Sequence, residues 1–273
     1  MKISTHRFIA VVLAALIMAG PARSDQLAEI KARGTLICGV LSTLDPFGYI
    51  DPTSRALVGY DIDFCKGIAK QMGLKPEMRQ ISLDARIPEL TQGRVDVLAA
   101  VLTYNESRAQ QIDFSQSYYV SYSKMGVHGD AGYTALEQLA GKRISAVKGS
   151  STGALLQATL PDAKLVNYDD APSAFMALAQ RKVQGFGLTE PMLRRFISKL
   201  GPNSQLTILE QPIGREKWGL GIRKGEPKLL DAIDDALVAM EDAGEAQTIF
   251  DRWLGSTTAY QMSRDFKIGP ITP

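Results

Sequence analysis

Two consecutive rounds of alternating strand and helix patterns constrain this chain more than any other feature it carries. In the first, "GTLICGVL" reads as a buried strand, "STLDPFGYIDPTSRALVG" as a loop, and "GYDIDFCKGIAKQM" as a helix with Phe64, Ile68 and Met72 at helical spacing. Asp61 or Asp63 is positioned to accept from the first-turn N–H groups, and Gly73 to close the far end in a left-handed conformation. "KPEMRQISL" follows as a strand and "DARIPELTQG" as a short helix. "RVDVLAAVL" is a strand apolar enough to be covered on both faces, and "NESRAQQI" a capped helical turn. The second round sets "LEQLAGKRISAVKGSSTGALLQAT", "AKLVNY", "APSAFMALAQRK", "VQGFGLT" and "EPMLRRFISKLG" as alternating helices and strands. After "WGLGIRKGE" come two C-terminal helices, the first with Leu229, Leu230, Ile233, Leu237 and Met240 on one stripe; residues 256–273 read as a surface tail. Two complete α/β rounds predict two α/β lobes rather than one long sheet.

The first residues are an address. Lys2 and Arg7 precede a short apolar run, Phe8 to Ala19, and Ala22 and Ser24 give the small-x-small pattern of a cleavage site before Asp25. The run is too short for a membrane span, which needs about 18 apolar residues. The chain is therefore expected to be exported, with cleavage near Ser24. The full sequence has 31 basic and 29 acidic residues. Residues 1–24 contain Lys2, Arg7 and Arg23 and no acid, so the mature chain has 28 against 29, a net charge of −1. That balance gives no reason to expect a nucleic-acid partner. Cys38 and Cys65 fall in a strand and in the helix that can pack on it, where a disulfide and two free core thiols both fit. Two cysteines and the one mature histidine, His128, make no convincing metal-ligand set, and no cofactor is called for.

In "ISAVKGSSTGALLQ", Gly149, Ser151 and Gly153 match the G-x-S-x-G of a hydrolase elbow, but no histidine follows to serve as base. The same stretch is also a helix N-terminus with hydroxyls and N–H groups, which suits a carboxylate or phosphate. Arg108 lies just past a buried strand with Thr103 at that strand's end, where ligands bind in open α/β sheets. Arginine grips a carboxylate through two parallel hydrogen bonds.

Gly59-Tyr60-Asp61-Ile62-Asp63-Phe64, followed by Ile68, Ala69 and Met72, resembles the signature of the family-three bacterial extracellular solute-binding proteins, the periplasmic receptors of polar amino-acid ABC importers. "DPFGYID", "RIPELTQGRVDVL", "NESRAQQIDFSQSYY", "VKGSSTG", "GLGIRKGEPKLL" and "IFDRWLG" extend the resemblance from about Gly34 to Gly255 in the family's order. It implies an α/β, two-lobe periplasmic-binding-protein fold of type II, each lobe a mostly parallel sheet flanked by helices, with two hinge strands. Lobe one would take residues 25–126 and 220–273, and lobe two 127–219. By the same resemblance, Arg108 binds the ligand's α-carboxylate, assisted by Thr103 and the main chain near Val101. Ser151 and the N–H of Thr152 hold that carboxylate from the other lobe. Thr189 stands where the family usually has an aspartate for the ligand's ammonium group, so the amine of a ligand that has one is expected to find another partner, such as Glu190. Leu44 and Leu83 stand where many members have aromatic walls. Arg86 matches an "R-I-P" variant of relatives that bind acidic ligands, and Lys148 faces the cleft. The implied partners are a small carboxylate or amino-acid-like ligand and an inner-membrane ABC permease, served by a monomer. The alternative is a periplasmic enzyme on the same scaffold, similar to cyclohexadienyl dehydratase, with Glu190 or Lys148 moving a proton.

Overall fold

The computed structural model describes residues 25–201, 203–260 and 262–271, so the export signal lies outside the described residues. In chain order the first elements are α1 (Gln26–Arg33), β1 (Thr35–Val40), β2 (Thr43–Leu44), β3 (Gly48–Ile50), β4 (Leu57–Val58), α2 (Tyr60–Gln71), β5 (Lys75–Gln80), α3 (Arg86–Thr91), β6 (Val97–Leu98) and α4 (Glu106–Ala109). The long strand β7 (Ile112–His128) leads to β8 (Arg143–Val147), α5 (Ser151–Thr159), β9 (Lys164–Tyr168), α6 (Ala171–Ala179), β10 (Gly185–Thr189), α7 (Glu190–Lys199) and β11 (Leu206–Ile208). The strand β12 (Gly214–Arg223) and the helices α8 (Pro227–Asp242) and α9 (Glu245–Trp253) complete the fold.

The main sheet runs β5-β1-β6-β12-β7-β10-β8-β9, with β11 also on β7. β5, β1 and β6 are parallel to one another, as are β10, β8 and β9. Between these sets run β12 and β7, antiparallel to each other from Gly214↔Ser123 to Arg223↔Ile112. One end of this ribbon pairs with β6 and the other with β10. This is the expected fold: two lobes, each with a mostly parallel sheet, joined by two strands. Beneath the ribbon, Phe47 packs edge-on against Tyr60, Tyr119 and Trp218 at centroid distances of 5.8, 5.0 and 4.7 Å. All four rings are fully buried, and such pairs add about 0.5–1.5 kcal/mol each beyond their buried area.

Several local expectations are corrected. α2 has no side-chain N-cap; it starts at Gly59 (φ +145°), where a Cβ would meet the Phe47 carbonyl oxygen at 2.3 Å. Asp61 turns into the core instead, and Asp63 pairs with Lys66 and Arg252. Gly73 does close the helix with φ +70°. The loop after β1 contains a three-stranded antiparallel sheet, β2-β3-β4, whose strands are too short to show periodicity. The run read as a strand over residues 94–102 is a strand only at Val97–Leu98, because Val101 turns to φ +51°. The C-terminal tail seals the core: Phe266 packs on Tyr119 and Phe250, and Gly269 bridges to Ser117. Cys38 and Cys65 form a disulfide between β1 and α2.

Candidate functional site

The cleft between the lobes is built by three turns. The first follows β6. Val101 holds a left-handed φ that a β-branched residue rarely adopts, and backbone so constrained clusters at ligand sites. Its N–H donates to Asp61 Oδ2 at 2.9 Å, and its carbonyl accepts from Arg86 at 2.7 Å. The Asp61 carboxylate also accepts from the Tyr118 hydroxyl at 2.7 Å. Burial pushes its pKa up to about 7, against the pull of these two donors and of the Arg86 charge.

The second turn positions Arg108. Asn105 caps α4 by accepting the Arg108 N–H at 2.9 Å. The guanidinium then folds back, giving one hydrogen bond to the Thr103 carbonyl (2.7 Å) and one to the Gly149 carbonyl of the other lobe (2.9 Å). Among the described residues these engage two of its five donors, and Arg108 lines the outer cavity. Arg86, 2 % exposed, is more fully committed. It donates to the carbonyls of Leu83, Ala100, Val101 and Gly149 at 2.7–2.9 Å, using four of its five donors. Burial and the neighbouring Arg108 charge pull its pKa down; burial also lowers that of Arg108, opposed by Glu216.

The third turn joins β8 to α5. Gly149 takes φ +73°, and a Cβ there would lie 2.7 Å from the Asp84 Cα across the cleft, so only glycine allows this approach. Ser150 caps α5 by accepting the Gly153 N–H at 3.1 Å. The serine of the G-x-S-x-G match is thus the first helical residue, facing hydroxyls and a carboxylate rather than a histidine.

Those groups converge on Glu216, which the sequence reading passed over. Oε1 accepts from Ser151 (2.8 Å) and Ser123 (3.0 Å), and Oε2 from Thr103 (2.8 Å) and the Trp218 indole (3.2 Å). Ser151 and Thr103, one from each lobe, are themselves 3.0 Å apart. A signal for Glu216 was present: in "REKWG" the period of two turns Arg215 and Lys217 outward and Glu216 and Trp218 inward.

Two cavities meet at this carboxylate. The inner one measures about 20 Å³ and is bounded by Leu44, Leu83, Val101, Thr152, Thr189 and Met192, among others. That is room for about one water. The outer one, about 760 Å³, opens past Arg108, Thr103 and Ser151. Arg86, Leu83, Ser151 and Glu216 border both. Thr152 is bonded to Ser123 at 2.8 Å, and the buried Thr189 hydroxyl to Ser121. Lys148 borders neither cavity and pairs with Asp84 at 3.3 Å. Glu190 is held by Arg194 (2.9 Å) and Lys124 (3.3 Å). Among the described residues no cluster of His, Cys, Asp and Glu could hold a metal, and no helix is long and apolar enough to cross a membrane.

The family model of bacterial extracellular solute-binding proteins, family 3, matches residues 36–256. The chain is 29% identical over 237 residues to the ABC transporter glutamine-binding protein GlnH of Bacillus subtilis (strain 168), covering 85% of each chain. An ancestral arginine-binding protein bound to arginine is 33% identical with a TM-score of 0.76, over 82% of this chain and 99% of that one. An ancestral amino acid-binding protein, a precursor of cyclohexadienyl dehydratase, is 26% identical with a TM-score of 0.76, over 84% and 99%.

Proposed function

The chain belongs to the bacterial extracellular solute-binding proteins of family 3, and from that premise we propose that it captures an α-amino acid or a related small carboxylate in the periplasm for an inner-membrane ABC permease. Lobe one comprises residues 25–126 and 220–273, lobe two 127–219, and residues 1–24 are removed near Ser24. The observation that carries this reading is the meeting of Thr103 and Ser151, from opposite lobes, on one carboxylate, with both arginines fastened to Gly149 beside them. A ligand carboxylate takes those two hydroxyls and the spare donors of Arg108. The Thr152 N–H, in the first turn of α5, adds the favourable end of a helix. Arg86 braces the turn at Val101, while Leu44 and Leu83 wall the side chain. Contacts drawn from both lobes exist together only when the lobes are shut, so binding and closure are one event.

Turnover on this scaffold would need a free acid or base in the cleft. Glu190 and Lys148 are each held in an ion pair, which favours a receptor over an enzyme. Isothermal titration of the mature protein against the twenty L-amino acids and their des-amino carboxylates tests the proposal. At least one is expected to bind, and Arg108→Ala to weaken that binding by about 10- to 100-fold, the worth of a charge-assisted hydrogen bond. No binding by any of them, or an unaffected Arg108→Ala, would contradict it.

A further inference from the structure

Glu216 is 4 % exposed, sits where the two cavities meet, and has all four lone-pair positions filled by Ser151, Ser123, Thr103 and the Trp218 N–H. Two of its four donors are the hydroxyls that the proposed function assigns to the ligand's carboxylate. A hydroxyl has one proton to give. When Thr103 and Ser151 turn theirs to a ligand, Glu216 is left buried with half its donors gone, and stripping a charged, buried acceptor is expensive. The ligand must therefore bring replacement donors of its own. An ammonium on the carbon next to the ligand's carboxylate supplies three N–H groups and a positive charge beside the atoms released.

We infer that Glu216 is the specificity-determining residue that receives the ligand's α-ammonium group and thereby selects α-amino acids over simple carboxylates. The inference rests on the proposed function and names the ligand class of the same site. Among the described residues Glu216 is the one acid that borders the inner cavity; Glu106 lines only the outer one, from the exposed side of α4. Asp61 is taken by Tyr118 and Val101, Glu190 by Arg194 and Lys124, and Asp84 by Lys148. Thr189, which borders the inner cavity, is neutral and bonded to Ser121. A carboxylate lacking the amine would take the two hydroxyls and set a second negative charge against Glu216 with nothing between them. The exchange moves no covalent bond: hydroxyl protons rotate from Glu216 to the ligand, and the ligand's N–H groups take their place.

The test compares each L-amino acid that binds with its own des-amino acid by isothermal titration: L-glutamine with 4-carbamoylbutanoate, L-glutamate with glutarate, L-arginine with 5-guanidinopentanoate. Wild type is expected to favour the amino acid by at least about tenfold. Glu216→Gln, which keeps the shape and removes the charge, is expected to bind the amino acid about 10- to 100-fold more weakly, with the des-amino acid unchanged or tighter. Equal wild-type affinity for both members of a pair would overturn the inference, and that comparison stands even where Glu216→Gln does not fold. So would a folded Glu216→Gln that keeps the full preference. A wild type that binds neither member of any pair overturns the receptor reading as well, which separates that failure from one confined to Glu216.

Discussion

Asp61 joins three parts of the molecule through one side chain. It lies in α2, accepts the strained Val101 N–H of the cleft turn, and accepts the Tyr118 hydroxyl of β7. Its pKa, raised to about 7 by burial from an ordinary 3.8, means that the folded protein binds a proton between these values that the unfolded chain has lost. Stability from this group is therefore fully present below about pH 4 and declines as pH rises to about 7, by on the order of 4 kcal/mol. Asp61→Asn removes the titration and keeps one of the two accepting oxygens. Urea unfolding at steps from pH 4 to 8 is expected to show the variant gaining on wild type through that range. Parallel profiles would mean that Asp61 does not titrate there. At this scale the sequence exposed Arg108, Thr103 and Ser151, because arginine after a strand and serine at a helix start are local patterns. Asp61 was visible only as a helix cap, since its true partners lie 40 and 57 residues away. Glu216 needed a strand assignment that charged neighbours on both sides disguised.

Among elements, β1 and α2 are held twice, by the core side chains of α2 and by the bond between Cys38 and Cys65. A crosslink separated by 27 residues is worth about 3–4 kcal/mol by the loop-entropy relation. Replacing both cysteines with serine should lower the unfolding free energy in urea by that amount without changing the fold; a loss below about 1 kcal/mol would show that packing alone fastens α2. Most helices were legible from apolar periodicity: α6 and α7 lie within the segments expected for them, and α8 and α9 are the two C-terminal helices, α8 carrying the stripe from Leu229 to Met240. The 17-residue strand β7 was not, because it is rich in serine. Four of its serines are buried, and among their partners are the Leu220 N–H, the Tyr119 carbonyl, Thr189 and Glu216. A strand whose buried face is polar cannot be recognised by hydrophobic alternation. The tail misled for the opposite reason. It has no period, yet Phe266 and the Arg264–Glu241 pair bind it to the core.

Across the whole molecule, the two lobes meet through polar contacts on both flanks of the cleft as well as within it. Asp45 accepts from Arg195 of the other lobe at 2.8 Å and lies 3.6 Å from Lys199, while Tyr260 of its own lobe donates to it at 2.9 Å; Lys148 pairs with Asp84 on the opposite rim. Exposed pairs such as the latter contribute little alone, commonly 0–1 kcal/mol, so they bias closure without locking it. The inner contacts differ because they are buried and shared: Gly149 takes two guanidiniums, and Glu216 takes donors from both lobes. The two-lobe plan could be read from two α/β rounds, whereas the closeness of the lobes could not, since it depends on a glycine at one turn approaching Asp84 in the other. The most direct test is a crystal structure of the mature protein with the amino acid it binds. The expected result is a ligand carboxylate within hydrogen-bond distance of Arg108, Thr103 and Ser151 at once, its ammonium on Glu216, and both lobes in contact with it. A ligand touching one lobe only, with the Arg108 guanidinium turned to bulk water, would contradict the proposed capture mechanism.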